Sequence, residues 1–401
     1  MKITVGKPEN IIYCCLLTVF TTYKIIGGTN FDTVLFLSND VWQIILKYII
    51  PAALLYLFIM QSIVNKQNYR TFFAILTMVA FLLVESLYVR DPTFIDSFLF
   101  MLAIPKNVSE KKMAGFFTKL YAVLIGITLI VALGGGIEDY VQIRATTGVA
   151  RHSFGFVSHN TFANNVAVAC LFYYYFKADS WKIKNSLIYI LIAYFIYSQT
   201  SSRLALVIIM MLSMVGVLYS YFQHNSKLKK SIYFLAKWLY CFLAACNIFG
   251  YQYLAKNVGS TLYYALNAFF TTRIRWGVYY LNTYGISIFG QPIETVSMKS
   301  VGMDVTKWMG LDNSYLMLGI KYGVVALVLF GIGFYLLGKE LQKKDDIAGA
   351  IVAVIIIFIG ITENYLVAIN YNFCITIFAI TVLKKWYYNS KFMYRAGELS
   401  E

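Results

Sequence analysis

The sequence predicts an all-α polytopic membrane protein of about 12 transmembrane helices. Three observations point there: composition, the length of its apolar runs, and a division of lysine from arginine between its loops. Of 401 residues, 59% are hydrophobic and 13% charged. Soluble domains run at roughly 45–50% and about 25%. Such a chain has no room for a sizeable soluble catalytic domain, so its chemistry is expected in loops or helix ends at the membrane surface.

A helix needs about 20 apolar residues to cross a bilayer. Twelve runs qualify or come close: roughly 10–27, 41–64, 71–89, 93–105, 113–134, 160–177, 185–200, 202–222, 231–251, 313–338, 347–363 and 365–383. The fourth is short, and only the polar turn at Glu363 and Asn364 divides the last two. Backbone in lipid must satisfy its own hydrogen bonds, and continuous runs of this length do so as helices rather than as barrel strands. The first run lacks a small-residue cleavage site and is expected to be a retained span. The cysteines (Cys14, Cys15, Cys170, Cys241, Cys246 and Cys374) lie inside apolar runs without metal-ligand spacing, and read as small hydrophobes. The whole chain reads as one integral membrane domain, 1–401, with two long loops at 134–159 and 252–312.

Orientation follows from the short loops. Alternate connections carry Lys66 and Arg70; Lys106, Lys111 and Lys112; Lys177, Lys182 and Lys184; Lys227, Lys229 and Lys230; Lys339, Lys343 and Lys344. Twelve spans place these on one side, with both termini cytoplasmic. Much of the net charge of +15 is therefore a topology signal and not a nucleic-acid footprint. The opposite face uses arginine: Arg90, Arg144, Arg151, Arg203, Arg273 and Arg275. Lysine suffices for lipid headgroups; arginine is favoured where a planar fork must hold an anion at two points.

The first long loop reads GGGIEDYVQIRATTGVARHSFGFVSHN. Three glycines break the fifth span. Arg144, Arg151 and His152 follow, with Phe154 and Phe156 expected to insert at the interface. Either a headgroup-binding re-entry loop or an anion site with a nearby proton acceptor fits this pattern. The turn TSSR places Arg203 beside two hydroxyls. The second loop holds FFTTRIRWGVYYLNTYGISIFGQ, whose aromatics suit an interfacial helix. Arg273 and Trp276, three apart, share a face, and Arg275 points elsewhere. That loop closes on LDNSYLMLGIKYG, where Asp312 and Asn313 stand at a helix N-cap position. Lys321, farther in, is either snorkelling or a further cation for a buried phosphate. Glu363 reads as a loop residue, and Glu85 as one near an outer helix end.

The order of these elements resembles the O-antigen ligase/polymerase superfamily, and most of all its Wzy-type branch of capsular and O-antigen repeat-unit polymerases. The resemblance rests on Arg151, Ser153, Phe154, Gly155, Phe156 and Asn160; on Ser202 and Arg203; on Arg273, Trp276, Phe289 and Gly290; and on Asp312, Asn313, Ser314, Tyr315, Leu316, Gly319 and Gly323. Arg144 and Gly155 also match an arginine-to-glycine spacing described in such polymerases. Residues 150–323 carry the likeness; the first five spans share only hydropathy. In the ligase branch a histidine usually precedes the last motif's asparagine, and here that position is Asp312.

The resemblance implies a GT-C-like, metal-independent inverting glycosyltransferase without cofactor, in the bacterial cytoplasmic membrane. Its substrates would be undecaprenyl-diphosphate-linked oligosaccharides, with a flippase and a chain-length regulator as protein partners. Arg144, Arg151, Arg203, Arg273 and Arg275 would then bind diphosphate. His152 or Asp312 would be the base, and Asn160, Trp276, Asn313 and Tyr315 would position sugar. The alternatives are a ligase moving finished glycan to a final acceptor, and a flippase or exporter. The last would place ionisable groups near mid-membrane.

Overall fold

A computed structural model describes residues 8–31, 40–65, 67–143, 148–270, 272–296 and 309–385. It is 77% helical. Among the described residues, six helices are long and apolar enough to cross a membrane: α1 (Pro8–Ile26), α2 (Ile45–Val64), α3 (Tyr69–Val89), α5 (Glu110–Leu133), α9 (Ser226–Lys256) and α12 (Ser314–Lys343). Shorter apolar helices are α4 (Thr93–Ala103), the 203–219 portion of α8 (Arg203–His224), α13 (Ile347–Ile359) and α14 (Phe373–Leu383). Two more, α6 (His159–Lys177) and α7 (Ile183–Thr200), have the length but carry many tyrosines, asparagines and other polar residues. The protein is thus a mainly helical membrane protein, and every apolar run of the sequence contains a helix.

The chain divides into two compact units: Met1–Ala53 with Asn107–Lys229, and Leu54–Lys106 with Lys230–Glu401. In the first, α6 is the most enclosed element, burying Phe162, Asn164, Asn165, Phe172, Tyr174 and Tyr175. Phe117 of α5 stacks on Phe172 at 4.9 Å, which joins the two helices face to face. The 134–159 loop adds a small antiparallel hairpin of β1 (Val141–Ile143) and β2 (Ala150–His152), with Val141 opposite His152 and Ile143 opposite Ala150.

In the second unit, α13 is buried along nearly its whole length. A 390 Å³ apolar cleft lies among α3, α4, α12 and α14, lined by Ile75, Phe98, Phe330 and Phe378, with Gln61 and Lys384 also on its wall. The 252–312 segment is largely helical where described: α9 reaches Lys256, and α10 (Thr261–Phe269) and α11 (Arg273–Tyr284) follow.

Among the described residues of this unit, two interruptions of regular α-helix are closed by other protein groups. Between α13 and α14, the 360–372 segment is held by side chains. The Ser314 hydroxyl donates to the Glu363 carbonyl at 2.5 Å, Ser97 to Val367 at 2.7 Å, and the Asn372 amide to Leu366 at 2.6 Å. Irregular backbone is tolerated at membrane depth only where protein satisfies it.

The second stretch is a break within α12, where a π-helical turn over Leu318–Tyr322 ends at Gly323. The carbonyls it releases are taken by the segment after α11. Ser287 N–H donates to Gly319, Gln291 N–H to Lys321, and the Ser287 hydroxyl to Ile320. In return Val324 N–H donates to Ser287 at 2.8 Å. The approach is so close that a Cβ on Gly323 would lie 2.4 Å from the Ile288 carbonyl, and one on Gly290 would lie 2.7 Å from that of Lys321. Both glycines also have positive φ, +89° and +98°. The FG turn and the paired glycines of the final motif are therefore two sides of one backbone junction.

Candidate functional site

In the first unit, candidate residues gather where the hairpin meets the start of α6. The turn after β2 is fixed by Asp139, to which the sequence reading gave no role. One oxygen, Oδ1, accepts from Ser153 N–H at 2.9 Å, Phe154 N–H at 2.6 Å and the Ser153 hydroxyl at 3.3 Å. The other, Oδ2, lies 2.7 Å from His152 Nδ1. The same turn is tied to the end of α1: Asn30 N–H donates to the Gly155 carbonyl at 2.7 Å, and Val157 N–H to that of Gly28 at 3.0 Å.

Phe154 adopts a left-handed conformation (φ 49°) and Gly155 another (φ 81°), so the chain reverses tightly before α6. A Cβ at Gly155 would lie 2.5 Å from Ile137 Cδ1. Phe154 and Phe156 do not insert at an interface. Both are buried, with their rings 5.0 and 5.5 Å from Phe162. Their apolar bodies serve the core of this unit, and Arg151 and His152, just before them, are left half-buried on its margin.

Arg151 and His152 occupy consecutive positions of β2 and so face opposite ways. The Arg151 guanidinium donates to Nε2 of buried His159, the first residue of α6, at 3.0 Å. That bond requires His159 to be neutral, with its own proton on Nδ1. His152 lies over Phe154, ring centres 5.6 Å apart. Asn160 follows His159 in the first turn of α6, half-buried. Arg203 is the first residue of α8 and exposed, after Ser201 in a left-handed conformation. Arg144 lies outside the described residues.

In the second unit, Arg273 opens α11 and is held between two carboxylates. Nη2 lies 3.1 Å from Glu363 Oε1, and Nε 3.6 Å from Asp312 Oδ2. Burial works against the Arg273 charge, but Glu363 and then Asp312 outweigh it and hold the guanidinium above its usual range. Burial pushes the Asp312 carboxyl upward, and Arg273 opposes the change. A carboxyl displaced in that direction handles a proton closer to neutral pH than an ordinary aspartate does. Three residues far apart in sequence thus form one acid–base cluster. A diphosphate that takes the Nε and Nη2 edge of Arg273 has to displace a carboxylate from it.

The other candidates in this unit divide into outer and inner residues. Arg275 is exposed and lies over the Trp276 ring, 5.5 Å from its centre. Asn313, rather than Asp312, is the N-cap. Its side-chain oxygen accepts from Tyr315 and Leu316 N–H, and its amide donates to Asn247 at 2.7 Å and to the Ile361 carbonyl at 2.9 Å. Tyr315 is fully buried and donates to the Ile357 carbonyl at 2.7 Å. Both residues spend their polar groups on the fold, joining α12 to α13 and to the segment that carries Glu363.

Lys321 is paired with Asp91, whose carboxylate also accepts from Tyr322 at 2.8 Å. Glu85 is buried inside α3, and neither carboxylate oxygen has a hydrogen-bond partner among the described residues. Among the described residues, no group of histidine, cysteine, aspartate and glutamate side chains suits a metal ion.

No protein-family model matches the chain, no curated protein matches its sequence, and no solved structure matches its fold.

Proposed function

We propose that the protein is a repeat-unit polymerase of the bacterial cytoplasmic membrane, a GT-C-like inverting glycosyltransferase with twelve spans and both termini in the cytoplasm. It joins undecaprenyl-diphosphate-linked oligosaccharides at the outer face into capsular polysaccharide, exopolysaccharide or O-antigen. A flippase supplying the units and a chain-length regulator are its expected partners. The observation that supports this most is the junction at the start of α6: a guanidinium (Arg151) and an imidazole (His152) on adjacent residues of β2, on opposite faces, beside a turn braced by Asp139.

In the reaction, a hydroxyl of the acceptor sugar attacks the donor's anomeric carbon. The new glycosidic C–O bond forms as the bond to the diphosphate breaks with inversion, the hydroxyl proton passes to a base, and undecaprenyl diphosphate leaves with the electron pair. Guanidinium groups preorganised toward the departing diphosphate lower the barrier without metal. Arg151 is assigned to that role, with Arg144 and Arg203 as outer contributors. Arg273 with Asp312 and Glu363, and Arg275 with Trp276, are assigned to the second substrate. The base is His152 or Asp312.

Purified protein in nanodiscs, given lipid-linked repeat units, is expected to produce a ladder of longer glycans. Deletion of the gene is expected to leave single units. Long glycan that persists on its lipid carrier but fails to reach the final acceptor would make the protein a ligase instead. One observation favours the exporter reading: Glu85 is a buried, ionisable residue inside a span. Units that accumulate only on the cytoplasmic side after deletion would establish it.

A further inference from the structure

We propose that Asp139 is a positioning residue that makes His152 the proton acceptor, by fixing which ring nitrogen carries the hydrogen. The inference rests on the polymerase reading and deepens it, since it settles the base on His152 and adds a residue that no sequence motif marks.

The argument starts from the carboxylate. Its two oxygens have separate duties. Oδ1 takes two backbone N–H donors and a hydroxyl from the turn, and Oδ2 faces His152 Nδ1 at 2.7 Å. A carboxylate can only accept, so the hydrogen of that last bond sits on Nδ1. In the neutral imidazole the lone pair is then on Nε2, at the far side of the ring from Asp139. The ring is about one-third exposed, and its face is held against Phe154. A general base requires this arrangement: an accessible lone pair, a fixed ring, and an anion behind it to stabilise the imidazolium that forms.

The same geometry makes Asp139→Asn unusually informative. The donors from Ser153 and Phe154 require an oxygen where Oδ1 stands. The asparagine carbonyl must take that place, which turns its amide nitrogen toward His152. An amide nitrogen donates, so Nδ1 becomes the acceptor and the ring hydrogen moves to Nε2. The variant keeps the shape of the turn and its backbone bonds but removes the lone pair that would receive the substrate proton.

The test has two readouts. The chain has three histidines, His152, His159 and His224. Nitrogen NMR of protein labelled with 15N-histidine, with His152→Gln to assign the signal, reports the tautomer directly. Wild type is expected to show the hydrogen on Nδ1, and Asp139→Asn to show it on Nε2. Polymer formation is expected to fall about 100-fold or more in Asp139→Asn and in His152→Gln alike, with membrane insertion and melting of Asp139→Asn unchanged. A doubly protonated His152 at neutral pH, or an unchanged tautomer in Asp139→Asn, overturns the proposal. So does a tautomer that switches while polymerisation continues at the wild-type rate. Failure of wild type to extend lipid-linked units would sink the polymerase reading separately, while the NMR would still decide the dyad.

Discussion

Asp91→Asn decides whether Lys321 is a structural charge or a spare cation for a phosphate. Asp91 lies between α3 and α4, and its side chain is 19% exposed; that of Lys321 is 12% exposed. Burial works against the Asp91 charge, but Lys321, with help from Thr93, draws the carboxyl from its ordinary 3.8 to about 2. A folded-state value below the unfolded one stabilises the protein above pH 3.8, and the gain disappears as pH falls toward 2. At about 1.4 kcal/mol per pH unit, the gap corresponds to about 2–3 kcal/mol at neutral pH. Asp91→Asn forfeits that amount and leaves the Lys321 ammonium without its partner, a situation that costs up to about 3–5 kcal/mol when the pair is fully buried.

We therefore expect a loss of about 2–4 kcal/mol at pH 7, measured by unfolding in mixed detergent micelles with tryptophan fluorescence. The acid-induced loss between pH 4 and pH 2 should be smaller in the variant than in wild type. The double variant Asp91→Asn/Lys321→Met should recover most of the stability, because neither charge is then left alone. An Asp91→Asn protein as stable as wild type at pH 7 would refute the pairing argument and return Lys321 to the list of phosphate ligands.

Arg151→Lys and Arg273→Lys should each lose most polymer formation, because lysine keeps the charge but not the two-point fork; Arg203→Lys and Arg275→Lys, at exposed positions, should lose less. Quantified ladders at matched protein levels check both, and full activity in the first two would reduce these arginines to headgroup anchors. Gly155→Ala should destabilise by about 1–3 kcal/mol in the same unfolding assay, since its positive φ and the 2.5 Å approach of Ile137 both oppose a Cβ. The raised Asp312 carboxyl means that the folded state keeps a proton which the unfolded chain gives up. Its contribution to stability therefore falls as pH rises above 3.8 through the folded value. Asp312→Asn should flatten that part of the pH–stability curve, and an unchanged curve would count against the Arg273–Asp312–Glu363 cluster.

The helices were legible because hydrocarbon thickness fixes run length: the run 71–89 became Tyr69–Val89, and 113–134 became Glu110–Leu133. Composition could not tell lipid-facing from protein-facing polar helices, and α6, with Asn160, Asn164 and Asn165, is the case in point. The hairpin was hidden because three-residue strands leave no periodicity to read. Asp139 was hidden because its partners are backbone N–H groups, which any sequence possesses. Glu363 lies in a non-helical segment as expected, but its pairing with Arg273 was hidden because that partner is 90 positions away. Phe154 and Phe156 were misplaced because aromatics at a helix mouth suit an interface as well as a core. The glycines of the FG turn and of the final motif were visible in sequence, but their mutual contact was not.

That contact carries a consequence for how such chains can diverge. The junction between residues 287–291 and the opened turn of α12 is a ladder of backbone bonds beside paired glycines. Beyond Ser287, Gln291 and the two glycines, the bonds do not depend on which side chains surround them, but they do depend on the spacing. One residue inserted or deleted between Gly285 and Gln291 would shift every rung and leave the carbonyls of the opened turn without their donors. Lineages descending from a common ancestor should therefore show length variation elsewhere in the 252–312 segment and a fixed residue count here. Comparison by counting residues would then find kinship after similarity of sequence has worn away.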